Sequence, residues 1–96
     1  MSDIYRQATT ILEEAENVVN GARAREYGSV RANFEMIANL WSDYLETEVF
    51  SHDVAHMMML LKIARGKKGY HRDCLVDLAG YSRCAEMLHD SYENED

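Results

Sequence analysis

The sequence predicts an all-α fold, a compact four-helix arrangement that assembles into oligomers, and three observations lead there. The 96 residues include no proline and only five glycines, while Ala, Leu, Met and Glu, all good helix formers, are common. Apolar residues recur at three- and four-residue steps in successive stretches, the spacing that lines one side of a helix. Between the stretches stand stop and start residues: Asn20-Gly21, Ser29, Ser51, and Gly66 to Gly69. A single domain, 1–96, is expected, and at this length roughly 65% of the unfolded surface can be buried without metal or disulfide support.

The first helix is expected from about Ile4 to Asn20 (4–20), with Ile4, Ala8, Ile11, Leu12, Ala15, Val18 and Val19 on its apolar side. Asn20-Gly21 ends it, and a polar connection, ARAREYGS, carries Arg23, Arg25, Tyr27 and Gly28. Ser29 then caps a second helix (30–45) whose apolar side is Phe34, Ile37, Ala38, Trp41 and Leu45. The third (52–65) begins after Ser51, read as its N-cap, and carries Asp53 in its first turn. It ends with Lys62, Arg65 and a left-handed Gly66. Its interior, Val54 to Ala64, is apolar nearly all round, so this segment is expected to be the central buried helix and the first argument for self-association. At about 22 Å it is too short to span a membrane. The fourth helix (71–91) uses Leu75, Leu78, Ala79, Ser82, Ala85 and Leu88, and the acidic tail from Tyr92 is expected to fray. Short connections imply that consecutive helices are antiparallel neighbours.

A net charge of −7 and a pI near 5.0 argue against duplex nucleic acid, whose phosphates need a basic surface. No signal-peptide core, transmembrane run or lipidation motif is recognisable, so no membrane partner and a cytoplasmic location are expected. Cys74 and Cys84 are too far apart on one helix to bridge and read as reduced thiols.

Four clusters carry chemistry. Lys62, Arg65, Lys67, Lys68, His71 and Arg72 gather positive charge against an acidic background, the group a phosphate would seek; the plain alternative is a helix-dipole complement followed by a solvated loop. Asp73 and Asp77 share one helical side, and Asp77 sits in an apolar run where a carboxylate needs a partner. An ion pair to Lys62 or Arg65 is the favoured partner, with Mg²⁺ shared with Asp53 as the other. His52 and His56, one turn apart, have the spacing of a metal-binding pair, but the sequence offers no obvious third ligand and they read as surface residues. Tyr27, Asn33, Phe34, Trp41, Tyr44, Tyr70 and Tyr81 supply aromatic faces and an amide that suit a base, although Phe34, Trp41 and Tyr81 also fit a core. Gly80, inside the fourth helix, suggests close approach of another helix, from this chain or a second subunit. No P-loop, dinucleotide fingerprint or serine–histidine arrangement is present.

The stretches ILEEAENVVNGARAREYGSVRANFEMIANLWSDYL, HDVAHMMMLLKIAR and HRDCLVDLAGYSRCAEML resemble a family of small phage and prophage proteins known only as a domain of unknown function. The resemblance covers about Ile11 to Leu88. That family is distantly similar to the all-α nucleotide pyrophosphohydrolases of the MazG type, oligomeric four-helix proteins that hold Mg²⁺ and a triphosphate on acidic clusters. Those enzymes place three glutamates as EExxE on one helix and ExxD on the next. Here the second helix offers only Glu35, Asp43 and Glu46, and Glu13-Glu14-Ala15-Glu16 has the wrong spacing.

The resulting expectation is a non-enzymatic phage protein that sequesters a nucleotide immune signal such as a cyclic dinucleotide, working as a homo-oligomer (dimer or tetramer) without a cofactor. Arg23, Lys62, Arg65 and His71 would address phosphates, Tyr27 or Tyr70 would stack a base, and Asn33 or Asp73 would read base or ribose edges. The alternatives are a Mg²⁺-dependent pyrophosphohydrolase using Asp53, Asp73 and Asp77, and an acidic phage protein that binds a host protein.

Overall fold

Helix α1 (Ile11–Asn20), α2 (Val30–Leu45), α3 (Ser51–Arg65) and α4 (Arg72–Glu93) follow one another in a computed structural model that describes residues 9–21 and 29–93, with side chains to His89. Among the described residues the protein is all-α.

Helix α1 starts later than the apolar spacing predicts. Thr10 is extended, its hydroxyl accepts from the Glu13 amide at 3.1 Å, and the Glu13 carboxylate accepts from the Thr10 amide at 2.9 Å. This reciprocal capping box fixes the first turn at Ile11; Ile4 and Ala8 lie outside the described residues. Gly21 ends α1, and a Cβ there would stand 2.6 Å from the Asn17 carbonyl oxygen, so glycine is required by space.

Ser29 caps α2 by accepting from the Ala32 amide at 3.0 Å. At its other end Glu46 takes a left-handed conformation, φ 54°, the place where helices usually put glycine. The turn beyond is organised by Ser42, whose Oγ accepts from the Val49 amide at 2.8 Å and donates to the Ala38 or Val49 carbonyl. Ser51 is not the cap of α3. Phe50 occupies that position, and Asp53 Oδ2 accepts from the Phe50 amide at 2.9 Å, so the first-turn carboxylate does the capping. Gly66 closes α3 at φ −83°, not in the left-handed form expected.

The core consists of Val19, Phe34, Ala38, Val54, Ala55, Cys84, Ala85 and Leu88, with Ile37, Trp41, Val49, Met58, Met59 and Tyr81 packed around it. Cys84 is thus buried and Cys74 half-buried, and no disulfide joins the two. The hub is α4, which touches all three other helices, whereas α3 touches α2 and α4. This corrects the expectation that the Ser51–Arg65 helix is central and buried. Its Val54 and Ala55 are buried, but Leu60 and Ile63 are 64% and 56% exposed. The inner side of α4 is also wider than expected. Val76, Cys84, Ala85 and Leu88 are buried while Leu75 and Ser82 are exposed, because α1 packs along one flank and α2 with α3 along another.

Consecutive helices are not all neighbours. Among the described residues α1 rests on α4 alone and does not touch α2. Val19 Cγ2 lies 3.6 Å from where a Gly80 Cβ would be, so the close approach at Gly80 comes from within the chain. Arg72 ties the two helix starts together, donating to Glu14 Oε1 and to the Thr9 carbonyl, each at 2.7 Å. The bond to Glu14 raises the Arg72 pKa above its ordinary value.

Candidate functional site

Helices α3 and α4 form an antiparallel hairpin, and its rungs decide which candidate side chains are committed. At the loop end Lys62 Nζ meets Asp77 Oδ2 at 2.9 Å, the lysine side chain 14% and the carboxylate 31% exposed. A carboxylate in an apolar stretch has found a cation, as its surroundings demand. At mid-length the Ser82 hydroxyl lies 3.3 Å from the Met59 sulfur and 3.1 Å from the Leu78 carbonyl. At the far end His52, His56 and His89 meet ring to ring.

The residues expected to bind a nucleotide are therefore divided. Lys62 is engaged with Asp77, and Arg72, once grouped with the cationic cluster, is engaged with Glu14. Arg65, Lys67, Lys68, Tyr70, His71 and Asp73 are exposed around the end of α3, the loop and the start of α4, and Tyr70 is 75% exposed. Arg65, Lys67 and Lys68 have no ion-pair partner among the described residues. Asn33 is half-buried on α2, away from this corner in sequence, and Arg23 and Tyr27 lie outside the described residues. Of the carboxylates considered for Mg²⁺, Asp77 is ion-paired, Asp53 caps α3 and Asp73 is exposed.

A wide cleft lies elsewhere. About 660 Å³ in volume, it is walled by Arg31, Glu35, Asn39, Ser42, the Glu46–His52 segment and Leu88. Three glutamates, Glu35, Glu46 and Glu48, line it, and Arg31 is paired with Glu35 at 3.4 Å. It therefore offers a phosphate little. It sits at the start of α3 while Arg65 sits at the end, roughly 20 Å away along the helix axis. A second, mainly apolar crevice of about 30 Å³ lies between α1 and α4 beside Gly80 and Cys84.

What sequence reasoning missed was His89, the third member of the histidine group. It is far from His52 and His56 in sequence, and only the antiparallel packing of α3 on α4 brings it near.

Among the described residues the chain is all-α, with four helices, a cationic loop whose Lys67 and Lys68 have no ion-pair partner, and an apolar helix left partly bare. The chain belongs to the family described as Domain of unknown function (DUF6378), which matches residues 10–89. It is 50% identical over 82 residues to the Gene 55 protein of Mycobacterium phage D29, and 48% identical over 81 residues to the Gene 55 protein of Mycobacterium phage L5. These matches take in 84% and 82% of this chain but 54% and 52% of the relatives, so the chain spans about half the length of the curated relatives it matches. No solved structure matches it. Among the described residues no helix is long and apolar enough to cross a membrane.

Proposed function

We propose that the protein is a phage-encoded, non-enzymatic binding protein that sequesters a nucleotide-derived signal, such as a cyclic dinucleotide, where two copies of the chain meet. The observation that carries the reading is the adjacency of uncommitted charge and uncovered apolar surface. Arg65, Lys67, Lys68, His71 and Tyr70 surround the same end of α3 that leaves Leu60 and Ile63 bare. Guanidinium and ammonium groups suit phosphate, an exposed tyrosine ring suits a base, and a second copy would turn an open corner into a pocket. The engagement of Asp77 with Lys62 and of Asp53 with the Phe50 amide weighs against a Mg²⁺-dependent pyrophosphohydrolase, since that chemistry needs several convergent free carboxylates.

The test is incubation with cyclic dinucleotides, ADP-ribose derivatives and nucleoside triphosphates in the presence of Mg²⁺, followed by chromatography of the ligand. Retention of an intact ligand, lost in Arg65→Ala, is expected. Release of pyrophosphate that Asp77→Asn abolishes would replace this reading with the hydrolase, and full retention by Arg65→Ala would move the site elsewhere.

A further inference from the structure

Helix α3 carries apolar residues on two sides, and one of them is used within the chain. Val54 and Ala55 are buried in the core shared with α2 and α4. On the outer side Met57, Leu60, Leu61 and Ala64 follow at the steps i, i+3, i+4 and i+7, with Ile63 at the edge, and all five are exposed. At their exposures Met57, Leu60, Leu61 and Ile63 leave roughly 400 Å² of side chain in water, about the apolar share of the roughly 800 Å² that each partner buries in a standard interface. The two ends of this stripe carry opposite charge. Glu46, Glu48 and Asp53 stand at its start, and Lys67 and Lys68 follow its end. Asp53 is seven residues before Leu60 and Lys67 seven after, close to two helical turns each way, so the three lie nearly in line. The Lys67 amide donates to the Ala64 carbonyl at 3.3 Å, which holds the turn in register with the helix. The Asp53 side chain is 42% exposed even while it caps α3, so its charge remains open to a partner.

We propose that this side of α3 is the pairing surface for a second copy of the chain, laid antiparallel about a two-fold axis at Leu60. The axis sets Leu60 against Leu60 of the second copy. It sets Met57 against Ile63 and Asp53 against Lys67, each pair twice over, because a two-fold contact repeats itself. A parallel pair would place Asp53 on Asp53 and Lys67 on Lys67, like charges whose juxtaposition is costly, and would align the helix dipoles unfavourably. The ion pairs lie at the rim, so they choose the orientation while the apolar stripe supplies the affinity. The pairing rests on the proposed function for the need of a second copy at this helix, and it gives that reading a geometry. An antiparallel seam puts the two cationic corners at opposite ends of the pair, so each chain takes its own ligand. Arg65, five residues past Leu60, stands about 140° round the helix from it, off the seam and left for the phosphate.

Sedimentation of the full chain across the micromolar range should show a monomer–dimer equilibrium. Leu60→Glu, which brings two carboxylates together at the axis, should raise the dimer dissociation constant by about 100-fold or more, with circular dichroism checking that the helices are retained. Orientation is read by mixing Met57→Cys and Ile63→Cys chains under mild oxidation. A disulfide between the two variants is expected, above the background of the parent with its Cys74 and Cys84. Arg65→Ala should dimerise as the parent does, so the ligand site and the seam are read separately. A parent that stays monomeric at high micromolar concentration, a Leu60→Glu protein that still dimerises, or Met57→Cys chains that cross-link to one another in place of Ile63→Cys chains would overturn the pairing.

Discussion

Helices α3 and α4 reverse the roles their compositions suggest. In α3 the run from Val54 to Ala64 is almost wholly apolar, yet only Val54 and Ala55 are buried, and Leu60 and Ile63 face outward. In α4 charged and polar residues interrupt the apolar ones, yet this helix receives α1 on one flank and α2 with α3 on another. The difference lies in size and placement. Gly80, Cys84 and Ala85 are small and lie on the flanks where other helices arrive, so backbones can approach closely. The bulky Met57, Leu60, Leu61 and Ile63 of α3 have no comparable receiver among the described residues. Hydrophobicity measures the wish to leave water; centrality also requires that neighbours fit.

The largest expected effect comes from cutting the same side chain on each helix. Leu88→Ala should destabilise the fold by about 2–4 kcal/mol in urea unfolding, because a 5% exposed leucine leaves a cavity among core residues. Leu60→Ala, measured in dilute protein, should stay within about 0.5 kcal/mol. If the Leu60 variant loses stability only as protein concentration rises, the bare side of α3 is covered by a second copy; equal losses at all concentrations would break the contrast.

A smaller effect, of opposite sign, tests why α4 can be approached. Gly80→Ala should stabilise by up to about 1 kcal/mol through helix propensity, since the new Cβ would meet Val19 Cγ2 at an ordinary 3.6 Å beside an unfilled crevice. A fall in melting temperature would mean that the α1–α4 seam is tighter than this spacing.

The smallest effect belongs to the capping box that starts α1. The hydrogen bond from the Thr10 backbone amide, then that from the Thr10 side chain, hold the Glu13 carboxyl below its ordinary value of 4.5. A carboxylate whose pKa is lower in the folded state stabilises at higher pH, and that contribution fades as pH falls through the folded value. Glu13→Gln keeps an acceptor but does not titrate, so its melting temperature should decline slightly less than the parent's on acidification below about pH 5. Parallel decline in the two proteins would show that the box is not coupled to folding.

The fold class was legible because helical periodicity and stop residues are local properties of a sequence. The details lost were those that depend on a neighbour. The start of α1 was readable in Thr10-Ile11-Leu12-Glu13, but the apolar spacing of the residues before it drew the boundary too early. The inner side of α4 was misjudged because two flanks are covered and a single stripe was sought. Asp77 announced its need for a cation by sitting in an apolar run, and Lys62 meets that need. The ion pair in turn removes one lysine from the expected ligand set. His89 gave no signal, since its relation to His52 and His56 exists only after α3 folds back on α4.

The single seam by which α1 is held has a consequence for cooperativity. Ten residues are too few to remain helical in water without support, and among the described residues α4 provides all of it. Winding of α1 and its docking are then one event, and the Arg72 clasp to Glu14 and Thr9 is the latch on it. Amide protons of α1 should exchange with solvent through a partial opening that spares the α2–α3–α4 trio, making the first helix a leaf that can lift while the trunk stays folded.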